Sequence, residues 1–274
     1  NGKRKKLRSG CFIWHLAREF IAFFQKSVIM WRNKKVSVIL GTYQEKNSIR
    51  ATIEEFLATG YVDEVIVVNN NAQQGTDEEV KKTPARLIYE KRQGYGYAFQ
   101  RGIEEATGDY IVLAEPDSTF VGSDIECFLV YTKDFPMVFG TRTNQSSILD
   151  GAAMGLLRKL ANVFEAKVIE ILFATNSITD IGCTYKLMRK DVTERLKPLW
   201  RETSALFATE LLLLAVSERI KFIEIPVTFR ARVGESGITA KWYSLVKWGM
   251  RIFLFIIIFW LRWISRRIKL TQKK

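Results

Sequence analysis

The stretch Tyr110 to Phe120, YIVLAEPDSTF, constrains the rest of the chain most. Tyr110 to Ala114 has the length and apolar, β-branched richness of a strand buried on both faces. The run breaks at Glu115-Pro116-Asp117. Proline offers no N–H to a central ladder, so the chain leaves the sheet there. Carboxylates two positions apart in extended backbone point the same way. These two project at the carboxyl end of a buried strand, where open α/β sheets bind their ligands. A hard divalent cation takes one or two carboxylates and lets substrate phosphate complete its shell. Taken alone, the same residues also fit a turn with two solvated acids.

The 274 residues are 47% hydrophobic, enough for a sizeable core, and show no internal repeat. Net charge is +13, which points first to nucleic acid or an anionic membrane. The distribution separates the two. Residues 1–35 and 241–274 each carry +9, which leaves the middle at −5. Six of the seven tryptophans (Trp14, Trp31, Trp242, Trp248, Trp260 and Trp263) lie in the same flanks. Tryptophan favours the membrane interface, where its ring is buried and its N–H stays wet. Basic flanks rich in Trp and Phe therefore indicate a membrane surface, and no nucleic-acid reading motif appears. A pair of core helices with charged ends is the plainer alternative. Cys11, Cys127 and Cys183 form no metal or disulfide pattern, which fits a reducing compartment. The opening NGKRKKLRSG lacks the apolar core and cleavage site of a signal peptide. A start without Met implies trimming or a partial chain.

Taken in order, Cys11–Trp31 reads as an amphipathic helix too interrupted by charge to span a bilayer easily. Strands are expected at 36–40, 64–68, 86–90, 110–114 and 137–140, with helices at 48–59, 94–106 and 123–130 between them. Asn47 or Ser48 is the expected N-cap of the first of these helices. This alternation implies parallel strands with right-handed crossovers. A long helix (151–173), a short strand KLMR, helices at 191–199 and 205–218, and a β segment at 222–229 follow. Pro226 marks that last segment as an edge. In Tyr243–Lys269 only Ile252 to Leu261 is free of charge. Ten helical residues rise about 15 Å against a hydrocarbon core of about 30 Å. An interfacial helix, or a pair of them, is expected rather than a spanning one.

The strand ends collect candidates for one crevice: Thr42, Tyr43 and Glu45 after the first strand, Asn69 and Asn70 after the second, Gly94 and Gly96 opening a helix, and Glu115 with Asp117. Asn and Glu side chains suit a base and a ribose, and the acids suit a metal on a diphosphate. QGYGYAF is not a dinucleotide fingerprint. His15, the sole histidine, falls on the polar face of the N-terminal helix.

In order, VSVILGTYQEKNSI, EVIVVNNNAQQGT, KRQGYGYAFQRGIEEATGDYIVLAEPDSTF and MVFGTR resemble the successive motifs of family-2 glycosyltransferases with the GT-A fold. Within that family, TDIGCTYKLMRK and PVTFRARVGESGIT look most like polyprenyl-phosphate glycosyltransferases, the dolichol-phosphate mannose synthase and bactoprenol glucosyltransferase type. The resemblance covers about residues 36–232. It implies a Rossmann-like, mostly parallel α/β sheet, flanked here by amphipathic membrane-interface helices. Glu115 and Asp117 stand in place of the family's D-x-D and would bind Mg²⁺ or Mn²⁺ on the donor diphosphate. Glu115 departs from the usual Asp by one methylene. Asn69 and Asn70 stand where two aspartates often flank the base, in a nucleotide site with Thr42, Tyr43, Glu45, Gly94 and Glu115. Asp180 matches the Asp of D-x-x-S-G, with Cys183-Thr184 replacing Ser-Gly, and is a catalytic candidate with Asp117. Arg142, Arg158, Arg232 and Ser236 resemble the groups that hold the acceptor and donor phosphates.

The resemblance implies hexose transfer, with inversion, from a UDP- or GDP-hexose to a polyprenyl phosphate at the cytoplasmic membrane face. The expected organisation is a basic tail plus amphipathic helix (1–35), a catalytic domain (36–240) and a membrane-associated helical segment (241–274). Two other readings stay open. One is a transferase that elongates a lipid-linked or other saccharide and so needs a base. The other is a non-catalytic lipid- or partner-binding member.

Overall fold

A computed structural model describes Trp31 and residues 33–152, 154–234 and 242–271. Apart from Trp31, the expected N-terminal helix lies outside these residues, as do His15 and Ser236.

Seven strands form one sheet: β1 (Val36–Thr42), β2 (Glu64–Asn69), β3 (Arg86–Tyr89), β4 (Tyr110–Ala114), β5 (Met137–Thr141), β6 (Lys186–Arg189) and β7 (Phe222–Pro226). Their spatial order is β3-β2-β1-β4-β6-β5-β7. β1 pairs in parallel with β2 and β4, β2 with β3, and β5 with β7. The exception is β6, which inserts antiparallel between β4 and β5. The sheet is mostly parallel, as in the GT-A fold, with Pro226 ending the edge strand β7.

Period-2 alternation places the strand side chains in two cores. Val38, Leu40, Val67 and Val112 face one layer, which includes α1 (Ile49–Ala58), α2 (Thr76–Lys81) and α4 (Ile125–Tyr131). Ile39, Ile66, Val68 and Leu113 face the other, with α3 (Tyr95–Glu105), α5 (Leu156–Phe173), α6 (Lys190–Leu196), α7 (Phe207–Ser217) and α8 (Trp242–Thr271). Every one of these strand residues is at most 2% exposed, and burying each fully contributes about 1.5–3 kcal/mol. The order 3-2-1-4 reverses the direction of winding at β1, which opens a crevice outside the carboxyl ends of β1 and β4.

Three local expectations change. Ser48 occupies the N-cap position of α1 without capping it. Its hydroxyl donates instead to Pro116 O at 2.6 Å, tying α1 to the turn after β4. α5 begins at Leu156, not Gly151, because Gly151 turns the chain with φ 80°. The C-terminal segment is a single helix, not a pair: α8 runs 30 residues, about 45 Å. By length and composition alone it could cross a membrane. Within the protein it packs on α5 and α7, with Ile252 and Ile256 in the core and Trp260 Nε1 donating to Leu172 O at 2.9 Å.

Gly102 is where α3 meets the sheet. A Cβ there would stand 2.2 Å from Ile39 Cγ2 and 3.1 Å from Val68 Cγ2. Overpacking outweighs the gain in helix propensity, so Gly102→Ala should destabilise by about 1–3 kcal/mol. A lower urea midpoint with an unchanged slope would show it.

Candidate active site

The crevice is built from loops that sequence alternation leaves at the strand ends. After β4 the two carboxylates diverge. Asp117 is 1% exposed. Its Oδ1 accepts from Thr119 N (3.0 Å) and Thr119 Oγ1 (2.6 Å), and its Oδ2 meets Arg232 Nη2 at 3.1 Å. Val233 N donates to Asp117 O and Arg230 N to Thr119 O, which zips the 230–233 segment onto this turn. Glu115 takes a different partner: its Oε1 accepts from Thr184 Oγ1 at 2.6 Å. The Tyr95 hydroxyl joins the same Thr184 oxygen. Burial, and then the Asp117 charge, push the Glu115 carboxyl up to about 7, against the bond from Thr184 and the charges of Arg232 and Arg142.

After β1, Glu45 folds back onto its own loop. Its Oε2 accepts from Tyr43 N (2.8 Å), Gln44 N (2.9 Å) and Thr42 Oγ1 (3.4 Å). Its Oε1 lies 3.5 Å from Arg232 Nη2. Arg232 thus sits as a cation between Glu45 and Asp117.

The two asparagines after β2 hold loops. Asn70 Nδ2 donates to Glu90 O (2.9 Å) and Arg92 O (2.8 Å), while its Oδ1 accepts from Gly94 N (2.8 Å). Its amide is spent on shaping the crevice wall. Asn69 donates to Asp77 Oδ1 at 2.6 Å and accepts from Ala72 N. The glycines opening α3 allow a close approach by the loop before α7. A Cβ on Gly94 or Gly96 would meet Thr203 backbone atoms at 2.5 and 2.7 Å.

After β5, Arg142 is paired inside the protein. Its N (3.0 Å), Nε (2.8 Å) and Nη2 (2.9 Å) all donate to Asp180, which is fully buried. Burial works against the charge on Asp180, but Arg142 outweighs it and holds the carboxyl below its usual range. Asp180 therefore has no oxygen turned toward the crevice. Its bonds fix the orientation of Arg142. The turn that carries it is anchored in turn by Glu224, which accepts from Thr179 N, Thr179 Oγ1 and Asp180 N.

Two cavities share this wall. One, of about 500 Å³, runs between Thr42, Glu45, Asn70, Gly94, Phe99 and Pro116. The other, of about 620 Å³, holds Arg142, Arg158 and Arg232 at one end and continues between α5 and α8 past Leu157, Phe164, Trp248 and Ile252. Glu115, Tyr95 and Arg232 line both. Burial, and then the charges of Arg142 and Arg232, lower the Arg158 pKa, and all three arginines line this cavity. Ser236 lies outside the described residues.

Residues 37–197 match the glycosyl transferase family 2 model. The chain belongs to this family. Among curated relatives it is 25% identical to the low-salt glycan biosynthesis hexosyltransferase Agl6 of Haloferax volcanii, over 74% of this chain and 49% of that one. It is 24% identical to a dolichyl-phosphate hexose transferase of the same organism, over 73% of this chain and 85% of the relative. A dolichyl-phosphate beta-glucosyltransferase of Saccharomyces cerevisiae is 22% identical over 71% of this chain and 66% of its own. The chain thus spans from half to most of the length of these relatives. In fold, it is similar to glucosyl-3-phosphoglycerate synthase of Mycobacterium tuberculosis in complex with Mn²⁺, UDP and phosphoglyceric acid. The TM-score is 0.64 at 14% identity, over 83% of this chain and 78% of that one.

Several members of the site escaped sequence reasoning. Thr184, Tyr95 and Glu224 act through contacts that spacing does not reveal. Asn162 and Glu165 share the cavity with Arg158. Their i, i+4, i+7 spacing on α5 was a readable signal, a polar stripe on one helical face.

Removing one partner of a buried ion pair costs about 3–5 kcal/mol. Asp180→Ala should lower stability by that order at neutral pH. A carboxyl with a depressed folded pKa stabilises above its unfolded value and loses that contribution as the pH falls through the folded one. The deficit of the variant should therefore shrink as the pH drops below about 4. Urea melts at pH 7 and pH 3 test both statements.

Proposed function

We propose that the protein transfers a hexose from a UDP- or GDP-sugar to a polyprenyl phosphate at the cytoplasmic face of a membrane, with inversion at the sugar. The observation that carries this reading is the pair of cavities joined at Glu115 and Arg232. One has Thr42, Glu45, Asn70 and the Gly94 loop on its walls, groups that suit a base and a ribose. The other has an arginine mouth and apolar depth, the chemistry of a lipid phosphate. The similarity of the chain to dolichyl-phosphate transferases supports the same acceptor class.

The donor set fits a hard divalent cation. Glu115 and Asp117 supply only carboxylate oxygen, and the Arg232 guanidinium already stands as a cation on Asp117 Oδ2. Among the described residues no cluster of three acidic, His or Cys ligands forms, so phosphate oxygens and water would have to complete the shell. Mg²⁺ or Mn²⁺ held by Glu115 and Asp117 would offset negative charge on the departing nucleotide. Arg232, now paired with Asp117, lines both cavities and is placed to meet a phosphate. The acceptor monoester has a second pKa near about 6, so it is a nucleophile at neutral pH without a general base. That agrees with Asp180 being consumed by Arg142. The protein's task is to hold two anions in line, and Arg142, Arg158 and Arg232 do so through fork-shaped contacts. Thr42, Tyr43, Glu45 and Gly94 border the nucleotide, while Asn69 and Asn70 set the wall behind it.

Nucleotide sugars screened against undecaprenyl and dolichyl phosphate, with Mg²⁺ or Mn²⁺, should yield a lipid-linked hexose by thin-layer chromatography. Asp117→Asn should reduce turnover by about a thousandfold, the scale of losing one preorganised electrostatic element. Transfer only to a saccharide hydroxyl, or no lipid-linked product with any donor, would overturn the reading.

A further inference from the structure

Beyond its arginine mouth, the larger cavity is not uniformly apolar. α5 turns Arg158, Asn162 and Glu165 into it on one face. Asn162 is 8% exposed and Glu165 4%. Neither makes a hydrogen bond or ion pair among the described residues. Neither is among the described side chains with fully enclosed, unpartnered polar atoms, so their polar ends face the open cavity. The two differ in position. Asn162 Oδ1 and Arg142 Nη2 flank Gly182, at 4.0 and 3.6 Å from where its Cβ would begin, so Asn162 belongs to the phosphate mouth. Glu165 lies two turns beyond Arg158, about 10 Å along the helix. There it packs beside Gly249 of α8, with Oε1 3.6 Å from the Cβ position of that glycine.

We propose that Glu165 is a specificity-determining residue of the lipid channel, which admits the acceptor's hydrocarbon chain only while its carboxyl carries a proton. The inference rests on the polyprenyl phosphate reading above. A chain anchored by its phosphate at Arg142, Arg158 and Arg232 must pass Glu165 to occupy the apolar depth beside Trp248 and Ile252. Hydrocarbon displaces the water that an ionised carboxylate needs, and an unpaired charge in such surroundings neutralises rather than stays buried. A carboxylic acid kept neutral near pH 7 by an apolar site is a known protein device.

The surroundings offer no substitute for that proton. Among the described residues, the other charged and titratable groups lining this cavity are Arg142, Arg158, Arg232, Glu115 and Tyr95. α7 contributes Ala208 and Thr209, and α8 contributes no charged side chain to the lining. Burial pushes the Glu165 carboxyl up to about 8, and no neighbouring charge opposes it. The acid is therefore mostly protonated at pH 7, and the channel is open to hydrocarbon. Above pH 8 the empty channel holds a carboxylate, and chain entry must first return a proton to it.

The test compares undecaprenyl phosphate with isopentenyl phosphate, whose chain is too short to reach Glu165, as acceptors from pH 7 to pH 9. With the long chain, wild-type KM should rise about tenfold over this range while kcat stays level, the linkage expected of one group that titrates near 8. Glu165→Gln and Glu165→Leu, which carry no charge at any pH, should remove the rise. With isopentenyl phosphate all three proteins should share one profile. Parallel wild-type and E165Q profiles for the long chain would overturn the inference. So would a Glu165-dependent rise with isopentenyl phosphate, because the acid would then act on the phosphate. Turnover of neither acceptor by the wild type would instead overturn the acceptor assignment, and the inference with it.

Discussion

An ionised carboxylate taken out of water must find cations and N–H donors, and Asp180 finds them on Arg142 and on its own turn. Arg142 gives it three bonds and Gly182 N a fourth. The segment from Ile178 to Thr184 runs through the interior without regular structure, so its backbone polar groups need partners too. Glu170 accepts from Ile178 N, and Glu224 accepts from the next two amides. The hydroxyls of Thr141, Thr143 and Thr179 close a ring beside them. Lys186 buries its ammonium under the same turn, bonded to Cys183 O and 4.9 Å above the Phe139 ring. The arginine that faces the crevice is thus the visible end of a polar network that reaches from β5 to β7. Its guanidinium plane is fixed before any ligand arrives, which is what binding an anion in line requires.

Two departures from the family's motifs turn out to touch each other. Glu115 is a methylene longer than the Asp it replaces, and Thr184 replaces a Gly. The longer side chain reaches exactly one turn of loop away, and the Thr184 hydroxyl donates to it at 2.6 Å. A glycine there would leave the longer carboxylate without that donor, and a shorter acid would leave the Thr184 hydroxyl short of its acceptor. Each change makes sense of the other. Glu115 lines both cavities with its carboxyl held by Thr184, while Asp117 stays buried in the β4 turn. Asp117 keeps its position through Thr119 and the β4 turn, independently of Thr184.

Most of the sheet was legible because it rests on period-2 alternation in strands that pair with near neighbours. Tyr110–Ala114 is a strand with the expected bounds, and Pro226 does end an edge. The direction of β6 was not legible: four residues, KLMR, carry no record of which strands will flank them. Within the site, the positions of Glu115, Asp117, Arg142 and Arg232 followed from their places after strands or in a motif. Their partners did not. Asn69 and Asn70 look free in sequence, yet their amides are consumed by loops 20 or more residues away and by Asp77 and Ala72. Asp180 looks like a free carboxylate in sequence, yet Arg142 occupies both its oxygens. Hydrogen-bond capacity is spent by tertiary contacts, and sequence lists only the capacity.

α5 joins the interior chemistry to the outer surface. Its inward face carries Arg158, Asn162 and Glu165, while Leu157, Leu160 and Phe164 remain more than half exposed on its flank. Val246, Met250 and Leu254 of α8 are exposed as well. Contiguous apolar surface of this kind marks a site that another phase or partner covers. Arg262, Arg266, Arg267 and Lys269 follow along α8, where anionic headgroups would meet them. The charge-free stretch of α8, Ile252 to Leu261, is the part that could sit deepest in a bilayer. Yet it buries Ile252 and Ile256 in the domain core, stacks Phe253 on Phe164 at 6.2 Å and bonds Trp260 to Leu172. A helix whose central turns are packed on the domain on one side cannot be surrounded by lipid there. Its outer face, with Val246, Met250 and Leu254, is the side left open to apolar surroundings. Val246 and Met250 also line the cavity between α5 and α8, so the arginine-lined space and the exposed apolar face are continuous.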